Sequence, residues 1–279
     1  MPRVAVVTDS TADLPPGMAE DLAIRVVPLN VHWEGATYRD KIDLAADEFY
    51  RRLAEARELP KTSAPAVGLF EEIYQELLAE HEGVVSVHIS ARLSGTCSAA
   101  LAAAQSVAPE RIVVIDSRQL SLCLGWLAVE AARLARQDAP LVAVAEHVRR
   151  LLPRVNLYAA LDTLEFLQRG GRIGRAQALI GSLLSVKPIV QIQDGEVAPV
   201  DRVRTRAAAL RRLVELTTSL PSIQALGVLH GAAPEQAAAL RDELAVRFPG
   251  QQIVTSEIGA VIGTHAGPGV YGVAYLLAE

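Results

Sequence analysis

The sequence predicts an α/β protein of two domains. Residues 1–153 form an N-terminal, mainly parallel sheet with helices on both faces, and residues 154–279 form a C-terminal α/β domain with a mixed sheet. Three observations lead there. From Val4 to Arg136, short β-branched runs alternate with longer Ala/Leu patterns of helical period, the order expected of parallel strands joined by right-handed crossovers. Hydrophobic residues make up 51% of the 279 residues but aromatics only 4%, so Ala, Leu and Val must build the core, as in helices packed on a sheet. In the second half, two β-rich runs flank Asp194-Gly195, a hairpin signal that adds antiparallel pairing.

Taken in order, Val4 to Val7 reads as a buried strand. The polar run Thr8-Asp9-Ser10-Thr11-Ala12-Asp13 after it is either an Asx-turn with a helix cap or part of a ligand cleft. Arg25 to Trp33 reads as one strand, with Glu34-Gly35 turning into a short return at Ala36 to Tyr38. Leu44 to Ala56 has the spacing of an amphipathic helix. Lys61-Thr62-Ser63-Ala64-Pro65 precedes a helix over about 66–80, and the Thr62 hydroxyl there either caps that helix or faces a ligand.

The rest of the chain is organised around the stretch from Val84 to Ala100, although its Ser94-Gly95-Thr96 is by itself a weak signal. An apolar strand stops at Ser94-Gly95-Thr96 and an alanine-rich helix follows, which places the loop at the carboxyl end of a strand, where open α/β sheets hold their ligands. Gly95 and the free N–H groups of the helix suit an anion, and Ser94 and Thr96 add neutral donors. Equally, Ser94 is a capping serine. A strand at Ile112 to Asp116, a helix at Ser117 to Arg136 with Gly125 allowing close packing, and a helix at Leu141 to Leu152 complete the first domain.

The second domain opens with a strand at Leu157 to Leu161 and a short helix ending in Gly170-Gly171. Arg169, Arg172 and Arg175 there form an anion site, a partner-docking face or a solvated basic turn. After the hairpin of residues 187–200, Arg202, Arg204 and Arg206 open a helix, where cations are unfavourable unless an anion or acidic partner offsets them. Strands at Ala225 to His230 and Gln251 to Ser256 flank a helix over about 234–247. The segment from Ile258 to Tyr275 carries a glycine-dense loop, Gly263 to Gly269, whose one ionisable group is His265.

Several chemistries are excluded. The net charge of −5 gives no support to nucleic-acid binding. The sequence has no P-loop and no zinc spacing among its six histidines, and Arg92 breaks the Gly-x-Ser-x-Gly frame around Ser94, so neither cofactor nor metal is expected. Cys97 and Cys123 read as buried free thiols of a reducing compartment. No apolar run reaches the roughly 18–20 residues that span a bilayer, and the run after Arg3 is too short for a signal peptide, so a cytoplasmic protein without stable membrane insertion is expected.

Seven segments together resemble the DegV family of bacterial fatty-acid-binding proteins. They are Val-Thr-Asp-Ser-Thr-Ala-Asp-Leu-Pro near the start, Lys-Thr-Ser-Ala-Pro from Lys61, Ser-Ala-Arg-Leu-Ser-Gly-Thr from Ser90 and Ile-Asp-Ser-Arg from Ile115. The others are Leu-Glu-Phe-Leu-Gln-Arg-Gly-Gly-Arg-Ile-Gly from Leu164, Val-Arg-Thr from Val203, and Ile-Gly-Thr-His-Ala-Gly-Pro-Gly from Ile262. Each is weak alone, but they follow the family's order along nearly the whole chain. The resemblance implies a two-domain lipid-binding protein without chemistry of its own, holding one long-chain fatty acid such as palmitate. Its carboxylate sits near the domain junction, bound by the residues matching Thr62 and Ser94, with His265 close to the same head group. It also implies lipid transport, or presentation of the acid to a separate fatty acid kinase as its binding subunit, with Arg204 tied to the partner or phosphoryl step. Ala64, Ala66 and Cys97 depart from the residues common at their positions, which bears on chain length and partner rather than on the carboxylate.

The energetics suit such a ligand. Burying about fifteen methylenes yields roughly 12 kcal/mol gross, against an association cost of about 4–15 kcal/mol. The tail supplies affinity, and the hydroxyls fix register and satisfy the buried charge. Two other readings remain open on the residues alone. One is an acyl or phosphoryl transferase with Ser94 as nucleophile and His265 as base; the other is a lipid sensor that docks a partner through Arg169, Arg172 and Arg175.

Overall fold

The computed structural model describes residues 2–179 and 186–278. The chain runs through β1 (Val4–Asp9), a 3₁₀ turn, α1 (Met18–Asp21), β2 (Ile24–Val27), β3 (Asn30–Trp33), β4 (Ala36–Arg39), α2 (Ala46–Glu55) and β5 (Lys61–Ser63). It continues with α3 (Val67–Glu80), β6 (Gly83–His88), α4 (Thr96–Val107), β7 (Ile112–Asp116), α5 (Ser121–Ala135) and α6 (Leu141–Leu151). The second half holds β8 (Val155–Ala160), α7 (Glu165–Arg169), β9 (Lys187–Gln193), β10 (Glu196–Val203), α8 (Arg206–Thr218) and β11 (Ile223–Gly231). It closes with α9 (Pro234–Arg247), β12 (Ile253–Glu257), α10 (Ala260–Ala266) and β13 (Val270–Leu277).

The strands form a parallel sheet in the order β2-β1-β6-β7 and a mixed six-stranded sheet in the order β10-β9-β8-β13-β11-β12. A small antiparallel sheet, β4-β3-β5, stands apart from both. Period-two alternation divides the first sheet's side chains. Ala5, Val7 and Val84 pack under α3 and α4, whereas Val4, Val6 and Val85 face α5 and α6. On the mixed sheet, one face carries α8 and α9, and the other turns toward α5. Helix α5 thus lies between two sheets. Its sequence is apolar almost all round, the pattern of a helix buried on every side. Gly125 permits that burial, because a Cβ there would lie 2.8 Å from the Ala12 carbonyl oxygen.

The polar run after β1 is an Asx-turn. Asp9 accepts hydrogen bonds from Thr11 N on one oxygen and from His88 Nδ1 and Ile89 N on the other. His88 Nε2 meets Ser86 Oγ at 2.7 Å, and the Tyr74 hydroxyl donates to the same serine oxygen at 2.8 Å. This chain of polar groups is fully buried and ties β1, β6 and α3 together at the end of the parallel sheet.

Four elements differ from the sequence expectation. The run from Arg25 to Trp33 splits at Pro28, which has no N–H for a ladder, so β2 joins the parallel sheet and β3 the small one. The helix expected from Ser117 begins at Ser121, because Ser117 to Leu120 form a turn held by side chains. There Gln119 N donates to Ser117 Oγ, and Arg118 N donates to Asp116 Oδ1. Strand β10 extends through Arg202 to Val203, and Thr205 caps α8 by accepting from Ala208 N at 3.1 Å, so only Arg206 lies in the helix, where it pairs with Asp162. The glycine-dense segment is not an open loop: His265 sits in the last turn of α10, and β13 follows as an inner strand of the mixed sheet. Among the described residues, no helix is long and apolar enough to cross a membrane.

Gly272 is needed on β13 because a Cβ there would overlap the Tyr158 carbonyl oxygen and lie 2.8 Å from Ala159 Cα. Gly272→Ala is expected to destabilise the fold by about 1–3 kcal/mol, the usual range for forced overpacking, read as a lower urea midpoint with an unchanged slope.

Candidate functional site

Next to α5, on the same inner face of the mixed sheet, lies a cavity. Its walls are aliphatic. Leu157 and Ala159 of β8, Val190 and Ile192 of β9, and Val270 and Gly272 of β13 line it at alternate positions, as do Ile89 and Leu93. Leu120 and Ser121, at the start of α5, close another part of the wall.

Four polar side chains come from four separate segments. Thr62 belongs to β5, which pairs with β3 through the register Val31↔Thr62. Ser94 lies in the turn before α4, Arg172 follows α7, and His265 lies in α10; all four line the cavity. The segments at Thr62 and Ser94 face each other, since a Cβ on Gly95 would meet that of Ala64 at 3.8 Å. Thr62 Oγ1 and His265 Nε2 are hydrogen-bonded at 2.9 Å across 203 residues of chain. Arg172 reaches across the remaining gap, donating from Nε to the Leu93 carbonyl at 3.1 Å and from Nη1 to the Gly170 carbonyl at 2.9 Å.

The charge balance of the cavity follows from these contacts. Burial, and then the neighbouring Arg172 guanidinium, push the His265 imidazole down to about 4, so it is neutral at pH 7. Arg172 forms no ion pair with any described residue. The aliphatic cavity therefore carries one formal positive charge beside the Thr62 and Ser94 hydroxyls and a neutral imidazole. That arrangement can accept a single anionic group at its polar end and apolar matter elsewhere.

Neither capping reading accounts for the hydroxyls alone. Thr62 does not cap α3, whose N-cap Ala66 has no side-chain bond. Ser94 Oγ accepts only a long bond from Thr96 N, 3.4 Å, and lies 2.9 Å from Thr96 Oγ1. The three arginines of the glycine motif separate. Arg169 pairs with Glu165, and Arg175 pairs with Asp194 and approaches Glu196, which leaves Arg172 alone facing inward. Arg204 is exposed and does not line the cavity. Arg172 is the residue that the spacing failed to single out, although its place after two glycines was a signal of close backbone approach. Cys97 and Cys123 are buried free thiols, and burial pushes the Cys97 thiol up to about 11, away from reactivity.

Comparison with known proteins gives one consistent result. Residues 3–278 match a family model described as "Uncharacterised protein, DegV family". Protein DegV of Bacillus subtilis is 38% identical over 279 residues, covering 98% of this chain and 99% of that protein. The solved structure of a DegV family protein from Thermus thermophilus, reported for its fatty acid binding, superposes with a TM-score of 0.91 at 38% identity, covering 99% of this chain and 100% of that one. The crystal structure of DegV, a fatty acid binding protein from Bacillus subtilis, superposes with a TM-score of 0.91 at 36% identity and covers 100% of both chains.

The His265 titration is directly measurable. Its proton-linked NMR shifts are expected to move with a midpoint near 4 instead of the ordinary 6.5. The imidazole binds its proton more weakly folded than unfolded, so its contribution to stability is complete above pH 6.5 and is lost as pH falls toward 4. His265→Asn should flatten the stability profile across that window.

Proposed function

This chain belongs to the DegV family, and from that premise we propose that it binds one long-chain fatty acid, such as palmitate, as a carrier without chemistry of its own. The observation that carries the reading is the charge pattern of the cavity: aliphatic walls, the Thr62 and Ser94 hydroxyls, and one guanidinium with no carboxylate partner among the described residues. A fatty acid supplies the missing anion and the missing apolar filling in one molecule. The relatives from Thermus thermophilus and Bacillus subtilis described as fatty-acid-binding support the same assignment.

In this reading the carboxylate lies among Thr62, Ser94 and Arg172, and His265 holds Thr62 in place. Division of the chain at 153/154 puts the hydroxyls in the first domain and Arg172 and His265 in the second, so the head group bridges the two. The acyl chain runs along the inner face of the mixed sheet, between Leu157, Val190 and Ile192 on one side and Leu93 and Ile89 on the other. Transport of the acid, or its presentation to a separate fatty acid kinase, would follow from holding the carboxylate near the surface. Arg204, exposed and without an ion pair to any described residue, is the side chain we assign to such a partner step.

No observation favours the serine-transfer alternative. Ser94 has no bond to an imidazole, and His265 spends its Nε2 on Thr62. The Ser–His–Asp chain that the fold does contain, Ser86–His88–Asp9, is fully buried, and Tyr74 already donates to its serine. A docking face made of Arg169, Arg172 and Arg175 is likewise unsupported, because two are neutralised and the third points inward.

Native mass spectrometry of the purified protein is expected to show one bound long-chain fatty acid. The Thr62→Ala, Ser94→Ala double variant should weaken binding by about 2–5 kcal/mol, from hydrogen bonds to a charged group; unchanged affinity would reject the site. Separately, Arg172→Gln is expected to reduce palmitate affinity while leaving affinity for the corresponding methyl ester nearly unchanged, measured by calorimetry. An equal loss for acid and ester would show that Arg172 does not meet the carboxylate. Turnover of acyl esters or acyl phosphate with an adduct on Ser94 would overturn the carrier reading.

A further inference from the structure

Gly170 is glycine for a reason that its backbone does not supply. It ends α7 with φ −78° and ψ −7°, a conformation open to any residue. Its neighbour Gly171 has φ +69° but open space around it. At Gly170 the reverse holds: a Cβ would overlap His265 Nδ1 and lie 2.9 Å from its Cε1. The bare Cα is therefore what the imidazole packs on. The carbonyl of the same residue accepts from Arg172 Nη1, so one glycine seats both ionisable side chains of the cavity.

This contact decides where the imidazole proton sits. His265 Nδ1 is buried and has no hydrogen-bond partner among the described residues. A proton there would make an orphaned buried donor, whereas a lone pair there faces a Cα–H, itself a weak donor, and an under-satisfied acceptor is the better tolerated of the two. The neutral ring holds one proton, so it belongs on Nε2, which donates to Thr62 Oγ1 at 2.9 Å. With its oxygen accepting from the imidazole, Thr62 has its own hydroxyl proton left to donate elsewhere, and Thr62 lines the cavity.

We propose that Gly170 is a positioning residue: by packing on His265 Nδ1 it fixes the Nε2–H tautomer, which turns the Thr62 hydroxyl proton toward the anionic head of the ligand. The role assigned to that proton rests on the fatty-acid reading above; the tautomer does not. His265 thereby acts through Thr62, and a neutral imidazole serves the site where an imidazolium would not be needed beside Arg172.

The first test uses the ligand-free wild-type protein at pH 7. Long-range ¹H–¹⁵N spectra, assigned by loss of the signals in His265→Gln, should show a pyridine-like Nδ1 and a pyrrole-like Nε2. The opposite assignment would overturn the proposal, and a result either way requires neither fatty acid binding nor a folded variant. The second test uses Gly170→Ala, expected to lose the fixed tautomer and to bind palmitate about tenfold more weakly, the loss of one hydrogen bond's worth of affinity. Thr62→Ala should then add little in the Gly170→Ala background, because both act through the same proton. Wild-type tautomer and affinity in Gly170→Ala, or full additivity of the two substitutions, would overturn it. If wild-type protein shows the Nε2–H tautomer but binds no palmitate, the fatty-acid reading fails and the tautomer assignment stands.

Discussion

One face of the mixed sheet governs the architecture. Strands β8, β9 and β13 present alternating aliphatic side chains to the interior, and such a face must be removed from water. Helix α5 covers part of it and is apolar on nearly every side because the parallel sheet lies on its other flank. Beside α5 lies the cavity, and its apolar walls are residues of the same hydrophobic core.

Thr62, Ser94, Arg172 and His265 bring polar groups to the cavity. Four segments distant in sequence close its rim, and each is anchored by backbone contacts as well as by its own side chain. Thr62 sits on a strand of the small sheet, and His265 on a helix that packs against α2 through Val261, Phe49 and Tyr50. The turn bearing Ser94 is fixed at its base, where Asp9 and Asp116 accept backbone N–H groups from Ile89 and Ala91. Arg172 is held by two carbonyls, Leu93 and Gly170, which position its guanidinium while leaving its charge uncompensated. Holding a cation by neutral acceptors keeps it oriented without cancelling the attraction it offers to an anion.

The division of labour between imidazole and guanidinium has an electrostatic basis. A protonated His265 beside Arg172 would place two like charges together in a poorly solvated space, and burial and the arginine both push the imidazole to its neutral form. A site so built would meet one negative charge with one positive charge and complete the rest with neutral donors. The buried Tyr74–Ser86–His88–Asp9 chain serves a different end: it joins β1, β6 and α3 at the sheet's carboxyl edge.

The sequence by itself determined the fold class, the strand–helix alternation, the hairpin at 187–200 and the three candidate residues Thr62, Ser94 and His265, because these depend on local period and on motifs in a fixed order. It misplaced what depends on the third dimension. Strand β13 was hidden in a glycine-dense segment because it is buried on both faces and shows no alternation, and β5 was hidden because three residues carry no period. Arg172 was legible only as one of three arginines, since nothing local distinguishes a guanidinium facing a cavity from two facing carboxylates. The contact between Thr62 and His265, and the glycine on which that imidazole rests, join positions far apart along the chain, and only the packing of three sheets against one another brings them together.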